Sequence, residues 1–200
     1  MEGRPRDVHL FGGHLRLWAP FLEPARADHY LHRFWRDLSW SRHYVRIAGR
    51  RLPCPRLSAW YGVDGARYAY SGQTYEPLPL TPLLGHMLAE VEEAAGRSFN
   101  SVLANAYRDG ADSMGWHSDD EPELGERPVI ASVSLGATRR FRMRHRRRRS
   151  EPAALELDHG SLLVMEGDTQ ANWQHTVPKT RRAVGLRLNL TFRWIEGPRA

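Results

Sequence analysis

The sequence predicts a mainly β chain with flanking helices, an α+β fold whose strands form a sandwich or barrel. Three observations predict it. From Phe99 onward, short runs of aliphatic, aromatic and β-branched residues recur at regular spacing between Gly and Asp turns. Residues 183–193 alternate strictly, with Val184, Leu186, Leu188, Leu190 and Phe192 on one face and Arg187, Asn189, Thr191 and Arg193 on the other. The first hundred residues contain two segments whose apolar side chains fall at helical spacing.

In chain order, residues 1–20 read as an arm with a short strand around 14–18. Pro24 can open a helix, because the first turn needs no N–H from it, and residues 25–38 then carry Tyr30, Leu31, Phe34, Trp35 and Leu38 toward the core. Beyond Trp40 the pattern is irregular and Pro-rich. Residues 56–72 read as strands and turns around Trp60-Tyr61-Gly62 and Tyr68-Ala69-Tyr70-Ser71-Gly72. Thr81 and Pro82 supply a cap and a first-turn proline for a buttress helix with Leu83, Leu84, Met87, Leu88 and Val91 on one face, closed by Gly96. Strands are then expected at 99–107, 129–135, 141–144, 154–157, 161–165, 175–177 and 184–193.

With 200 residues and 41% hydrophobic content, one substantial core is expected, and the whole of 1–200 reads as a single domain. No apolar run approaches membrane-spanning length and none follows the first residues, so a soluble, unexported chain with no membrane partner is expected. The single cysteine, Cys54, rules out an internal disulfide framework and fits a reducing compartment, the cytoplasm or a eukaryotic nucleus. Between Pro53 and Pro55 it reads as a small packing residue. Lys and Arg number 29 against 23 Asp and Glu, a net charge of +6, which favours a polyanionic partner without naming it. The run Arg144-His145-Arg146-Arg147-Arg148-Arg149 is either a solvated hairpin loop or an edge that meets phosphates.

The chemistry-bearing stretch is Met114-Gly115-Trp116-His117-Ser118-Asp119-Asp120-Glu121. His117 and Asp119, two apart, can point the same way from an extended segment and offer one ion a neutral nitrogen and an anionic oxygen. His175 lies several strands further on, where antiparallel pairing can return it to the same place. Two His and one carboxylate leave open positions on a metal, the arrangement of non-haem Fe(II) oxygenases, although Zn(II) suits the same ligands. A His-x-Asp pair alone arises by chance. The alternating run at 183–193 adds weight, because Arg187 and Arg193 would project into an interior where they need an anion, and a small dicarboxylate suits the fork of a guanidinium.

Asn105-Ala106-Tyr107, His117-Ser118-Asp119, Ala131-Ser132-Val133-Ser134-Leu135-Gly136, His159-Gly160-Ser161-Leu162, His175 and the run from Arg187 to Arg193 occur in the order found in the AlkB family of Fe(II)- and 2-oxoglutarate-dependent nucleic-acid dealkylases, which the chain resembles over roughly residues 45–195. The resemblance implies a double-stranded β-helix, or jelly roll. Residues 1–98 would supply an N-terminal extension, a nucleotide-recognition lid and buttress helices, and 99–195 the catalytic core. It implies His117, Asp119 and His175 as Fe(II) ligands and Asn105, Tyr107, Arg187, Asn189, Thr191 and Arg193 as 2-oxoglutarate contacts. Arg187 would take the far carboxylate and Arg193 the one nearer the metal. Tyr68 and Ser71 match lid residues that face the substrate; without the resemblance both read as structural, and three apart on a regular strand they face opposite sides. Asp120 matches a residue near the target base, and Glu121 reads as either a second such contact or a surface charge. Arg147, Arg148, Arg149, Lys179, Arg181 and Arg182 would meet the nucleic-acid backbone.

The implied reaction consumes O2 and 2-oxoglutarate and removes alkyl groups from bases of the 1-methyladenine and 3-methylcytosine type, releasing formaldehyde and succinate, on a base that is flipped out or already unpaired. The chain departs from duplex-acting members of the family it resembles at Ile47-Ala48-Gly49, where Ala48 stands in place of an apolar wedge and is too small to fill a vacated stack, so efficient action on intact duplex would need Ile47 or another nearby side chain to do that job. Single-stranded DNA is therefore the favoured partner, with duplex DNA or RNA as further substrates, and the chain is expected to act as a monomer. Two other readings compete: an Fe(II)/2-oxoglutarate hydroxylase of a protein or small molecule, and a non-catalytic module that binds metal and nucleic acid.

Overall fold

The alternating patterns pair into two facing sheets, and the two helical segments pack on the outside of the larger one. The computed structural model describes residues 4–47, 49–64, 66, 68–70, 73–148 and 152–196, with backbone alone at 46, 47, 68–70 and 73–75. The chain opens with a hairpin of β1 (Arg6–Leu10) and β2 (Gly13–Trp18), then α1 (Pro24–Asp37), and a second hairpin of β3 (Tyr44–Ile47) and β4 (Arg50–Pro53). It continues through β5 (Leu57–Gly62), β6 (Tyr68–Tyr70), β7 (Gln73–Tyr75), β8 (Leu78–Pro79), α2 (Pro82–Ala95), β9 (Ser101–Tyr107) and β10 (Met114–His117). The remainder comprises β11 (Ile130–Gly136), β12 (Arg139–His145), β13 (Ala153–Leu157), β14 (Ser161–Glu166), the one-turn helix α3 (Thr169–Asn172), β15 (Trp173–Val177) and β16 (Arg187–Arg193).

The major sheet runs β1-β2-β14-β11-β16-β9-β5-β8 and the minor sheet β10-β15-β12-β13. This is the expected jelly roll with flanking helices. The first hundred residues do more than cover it, since β1, β2, β5 and β8 extend the major sheet at both edges. One face of that sheet presents Val102, Ala104, Val133, Leu188, Leu190 and Phe192 to Tyr30 and Phe34 of α1 and Leu84, Met87 and Val91 of α2. The other presents Leu15, Leu17, Ile130 and Leu163 to Phe141, Met143, Leu157 and Trp173 of the minor sheet. Each fully buried Leu or Phe contributes about 1.5–3 kcal/mol, so both interfaces are strongly driven.

The helices end where the sequence says they should. Thr81 Oγ1 accepts from Leu84 N at 3.2 Å, and Gly96 caps α2 at φ 66°. In α1, Tyr30 and Phe34 are buried, but Trp35 is 39% exposed and lies against Trp40. A position one residue from Phe34 is turned about 100° away around the helix, which is why it leaves the core. The last strand begins at Arg187 rather than at 184, because both neighbours end opposite it: Gly136, the last residue of β11, and Tyr107, the last of β9, each pair with Arg187.

Candidate active site

Neighbouring strands of the minor sheet create the candidate metal centre. β10 pairs with β15 so that His117 lies opposite His175, with Asp119 just beyond the strand end. The turn holding Asp119 is pinned twice: Asp119 N donates to Gln170 Oε1 at 2.9 Å, and Ser118 Oγ donates to the Trp173 carbonyl at 2.8 Å. One ligand atom from each of His117, Asp119 and His175 lies within 4.8 Å of the others. His117 Nδ1 is 2.9 Å from the Gly115 carbonyl, which can only accept, so Nδ1 carries a proton and Nε2 is the ring nitrogen left to serve as a ligand. Burial, followed by the proximity of His117, pushes His175 down to about 3, which keeps it neutral at ordinary pH. Burial opposes ionisation of Asp119, but Arg193, aided by His175 and His117, holds its carboxyl below the usual range. A neutral His175 and an ionised Asp119 are the protonation states a metal needs of them.

The strand behind this centre lines a second, cationic side. Pairing of β16 with β9 sets Arg187 opposite Tyr107 and Asn189 opposite Asn105. These four, with Thr191, Arg193 and the three triad residues, line one narrow inner cleft. Arg187 is 1% exposed; its Nη2 donates to Ser134 Oγ at 2.9 Å, while Nε and Nη1 have no hydrogen-bond partner among the described residues. Burial brings its pKa down to about 10, only partly offset by Tyr107, so it stays charged. A buried guanidinium with two unpartnered nitrogens calls for a carboxylate.

A wider cavity of about 400 Å³ adjoins the inner cleft at His117 and Asp119. It shares Asn105, Met114, His117, Asp119 and Arg193 with the inner cleft, and adds Trp60, Trp116, His43 and Glu121. Arg56 Nε and Ser58 Oγ both donate to Asn105 Oδ1, at 3.0 and 2.9 Å, which leaves the Asn105 amide NH2 for the clefts it lines.

The profile of the 2OG-Fe(II) oxygenase superfamily matches residues 14–193. The chain belongs to this superfamily. Members use Fe(II), 2-oxoglutarate and O2, and the donor set here fits that requirement: an open His-Asp-His cluster beside a buried arginine whose Nε and Nη1 have no acceptor among the described residues. The chain is 45% identical over 188 residues to alpha-ketoglutarate-dependent dioxygenase alkB homolog 3 of Rattus norvegicus, covering 90% of this chain and 63% of that protein. It is 42% identical over 158 residues to the DNA oxidative demethylase ALKBH2 of Homo sapiens, covering 76% of this chain and 60% of that one. It thus spans less than two thirds of the length of these relatives. A solved structure described as that of OsALKBH1 shares the fold, with a TM-score of 0.66 at 17% identity, covering 94% of this chain and 100% of that one.

Within this superfamily fold, the expected metal and co-substrate residues all meet in the inner cleft. The expected base contacts divide. Glu121 lines the outer cavity, whereas Asp120 is not among its lining residues and instead accepts from Arg146, which also donates to Ser118 Oγ at 2.9 Å. Tyr68 lies in β6 with only its backbone described; Ser71, Arg149 and the wedge position Ala48 lie outside the described residues. Arg147 and Arg148 are exposed on the loop after β12, with both backbone N–H groups on His145 Nδ1 and the Arg148 guanidinium 3.4 Å from the centre of the Phe11 ring. Lys179, Arg181 and Arg182 are exposed between β15 and β16. Sequence reasoning missed Arg56, which is buried against Asn105. The available signal was Arg56-x-Ser58-x-Trp60, a period-2 set that faces one way from a strand.

Proposed function

We propose that this chain is an Fe(II)- and 2-oxoglutarate-dependent dioxygenase that oxidatively dealkylates N-alkylated bases in nucleic acid, with single-stranded DNA favoured. The observation that carries this reading is the junction of the two clefts: the residues common to both include His117 and Asp119, so a co-substrate on one side and a base on the other would face each other across the triad. The identity to alkB homolog 3 and to a DNA oxidative demethylase supports the substrate class.

In this reading His117, Asp119 and His175 hold the metal, which when bound supplies the oxygen activation that no side chain here provides. Arg187 takes the far carboxylate of 2-oxoglutarate and Arg193 the nearer end, with Asn105, Tyr107, Asn189 and Thr191 fixing its orientation. One oxygen atom of O2 ends in succinate, as CO2 leaves, and the other in an N–CH2OH group on the base. That group then collapses: its O–H proton leaves to solvent, its C–N bond breaks with the electron pair staying on the ring nitrogen, and formaldehyde and the neutral, repaired base result. Glu121, on the cavity wall, favours the cationic ring of a methylated adenine or cytosine, and Trp60 and Trp116 offer it flat surfaces. Asp120 acts through Arg146 by holding the loop after β12 against the metal turn. Arg147, Arg148, Lys179, Arg181 and Arg182 neutralise phosphates. Tyr68 and Ser71 belong to the lid, and residues 99–195 form the catalytic core. A monomer working in nucleus or cytoplasm suffices for this chemistry; among the described residues no helix is long and apolar enough to cross a membrane.

Formaldehyde release from single- and double-stranded oligonucleotides carrying 1-methyladenine or 3-methylcytosine tests the reading. Release should require Fe(II), 2-oxoglutarate and O2 and should be greater on single strands. Succinate formation with a methylated peptide, and none with any oligonucleotide, would overturn it.

A further inference from the structure

Arg139 is a buried cation to which the proposed chemistry assigns no part. At 3% exposure it opens β12, and its guanidinium donates to three backbone carbonyls on two loops: Asp109 at 3.1 Å, Asp112 at 2.9 Å and Pro178 at 2.7 Å. The first two lie in the loop after β9, which an Arg108–Asp112 ion pair stiffens. The third begins the basic loop that carries Lys179, Arg181 and Arg182. The loops also touch directly: Thr180 N donates to the Gly110 carbonyl at 2.9 Å, and a Cβ on Gly110 would collide with the Thr180 carbonyl oxygen. Beneath them lies Tyr107, with the Arg139 guanidinium 5.6 Å and the Arg187 guanidinium 5.2 Å from its ring centroid.

We propose that Arg139 is a positioning residue that fixes the basic loop 178–182 over the dicarboxylate cleft, and that it couples co-substrate binding to nucleic-acid binding. The sign follows from charge. Arg187 and Arg139 repel across one ring, and burial already disfavours the charge on Arg139. A carboxylate on Arg187 cancels that repulsion, which strengthens the hold of Arg139 on Pro178 and the loop it starts. Nucleic acid then meets a better-ordered set of cations, and by linkage 2-oxoglutarate binds more tightly when nucleic acid is present. A side chain that only stabilises the fold would produce no such linkage. The inference rests on the functional reading above.

The test is the affinity of the Zn(II)-loaded 200-residue chain for a fluorescein-labelled single-stranded oligonucleotide, measured by anisotropy with and without saturating 2-oxoglutarate. Zn(II) has no redox chemistry, so nothing turns over. The wild-type ratio of the two affinities should be about fivefold or more. Arg139→Lys keeps the charge but lacks the fork that spans three carbonyls, and its ratio should fall toward one while Zn(II) content stays at the wild-type level. Gly110→Ala leaves Arg139 in place, forces the loops apart and should also lose the ratio, which keeps the test decisive if Arg139→Lys fails to fold. A wild-type ratio of one, or a wild-type ratio retained in either folded variant, overturns the coupling and leaves the function standing. A wild-type chain that binds neither 2-oxoglutarate nor the oligonucleotide overturns the function itself.

Discussion

Replacing Arg187 with Met isolates the proposed carboxylate clamp, because the protein and the co-substrate should respond in opposite ways. Met fills much of the same space without donors. It removes a buried charge whose Nε and Nη1 have no partner among the described residues, and it gives up the bond to Ser134 Oγ. Leaving that hydroxyl unsatisfied costs about 1–3 kcal/mol, and removing an uncompensated buried charge offsets a similar amount. The co-substrate-free variant should therefore melt within about 4 °C of wild type, the shift expected of about 1 kcal/mol in a chain of this size. Binding of 2-oxoglutarate should suffer far more. Two hydrogen bonds to a charged group, each worth about 1.5–3 kcal/mol, correspond to a loss between about a hundredfold and ten-thousandfold. Calorimetric titration of 2-oxoglutarate into Zn(II)-loaded protein gives the affinity, and melting with and without the co-substrate checks it, since the wild-type stabilisation by ligand should vanish in the variant. An affinity within threefold of wild type would remove Arg187 from the clamp. A fall of more than about 10 °C without ligand would mean that the guanidinium serves the fold rather than an incoming anion.

Three further outcomes are expected. His175→Ala should abolish formaldehyde release while leaving oligonucleotide affinity within about twofold, since it removes a metal ligand and no surface cation; full activity would remove His175 from the metal centre. Replacing Arg181 and Arg182 together with Ala should flatten the plot of log affinity against log salt by about 0.7 for each single-strand phosphate that is no longer neutralised, and an unchanged slope would make both solvated surface charges. Acid should weaken the metal-free protein through His175. Its folded pKa of about 3 lies below the ordinary 6.5, so the unfolded chain binds the extra proton, and stability present near neutrality is lost as pH falls from 6.5 toward 3. The slope from this one group approaches about 1.4 kcal/mol per pH unit. Asp119, whose pKa is lowered, adds its own loss only below its ordinary 3.8. Urea midpoints that stay level between pH 7 and 4 would contradict this.

What could be read from the sequence was whatever a local period records. The alternation of Arg187, Asn189, Thr191 and Arg193 against Leu188, Leu190 and Phe192 announced a strand with a polar cleft on one side and a core on the other, and both are present. Thr81, Pro82 and Gly96 announced α2 through caps that act within one turn. Contacts distant in sequence were less legible. The capture of Asp120 by Arg146 joins residues that no spacing rule connects. Arg56 escaped notice because β5, which follows it, is buried almost throughout, so no exposed face marks the alternation. The β3–β4 hairpin was missed for the opposite reason: all four β4 residues are exposed, and a strand with no buried side has no hydrophobic period to read.

The position of β16 between β11 and β9 governs how the chain can emerge from a ribosome. Until Arg187 to Arg193 have been synthesised, the major sheet can exist only as two separate pieces, β1-β2-β14-β11 and β9-β5-β8. Each ends in an unpaired edge, and β11 and β9 are rich in Val, Leu, Ile and Ala. Such edges invite pairing with other nascent chains. The strand that closes this gap also brings Arg187 and Arg193, so a nascent chain lacks the proposed dicarboxylate clamp until its sheet is whole. Interruption of synthesis just before Arg187 should therefore yield a sticky fragment in need of chaperones rather than a partly active protein.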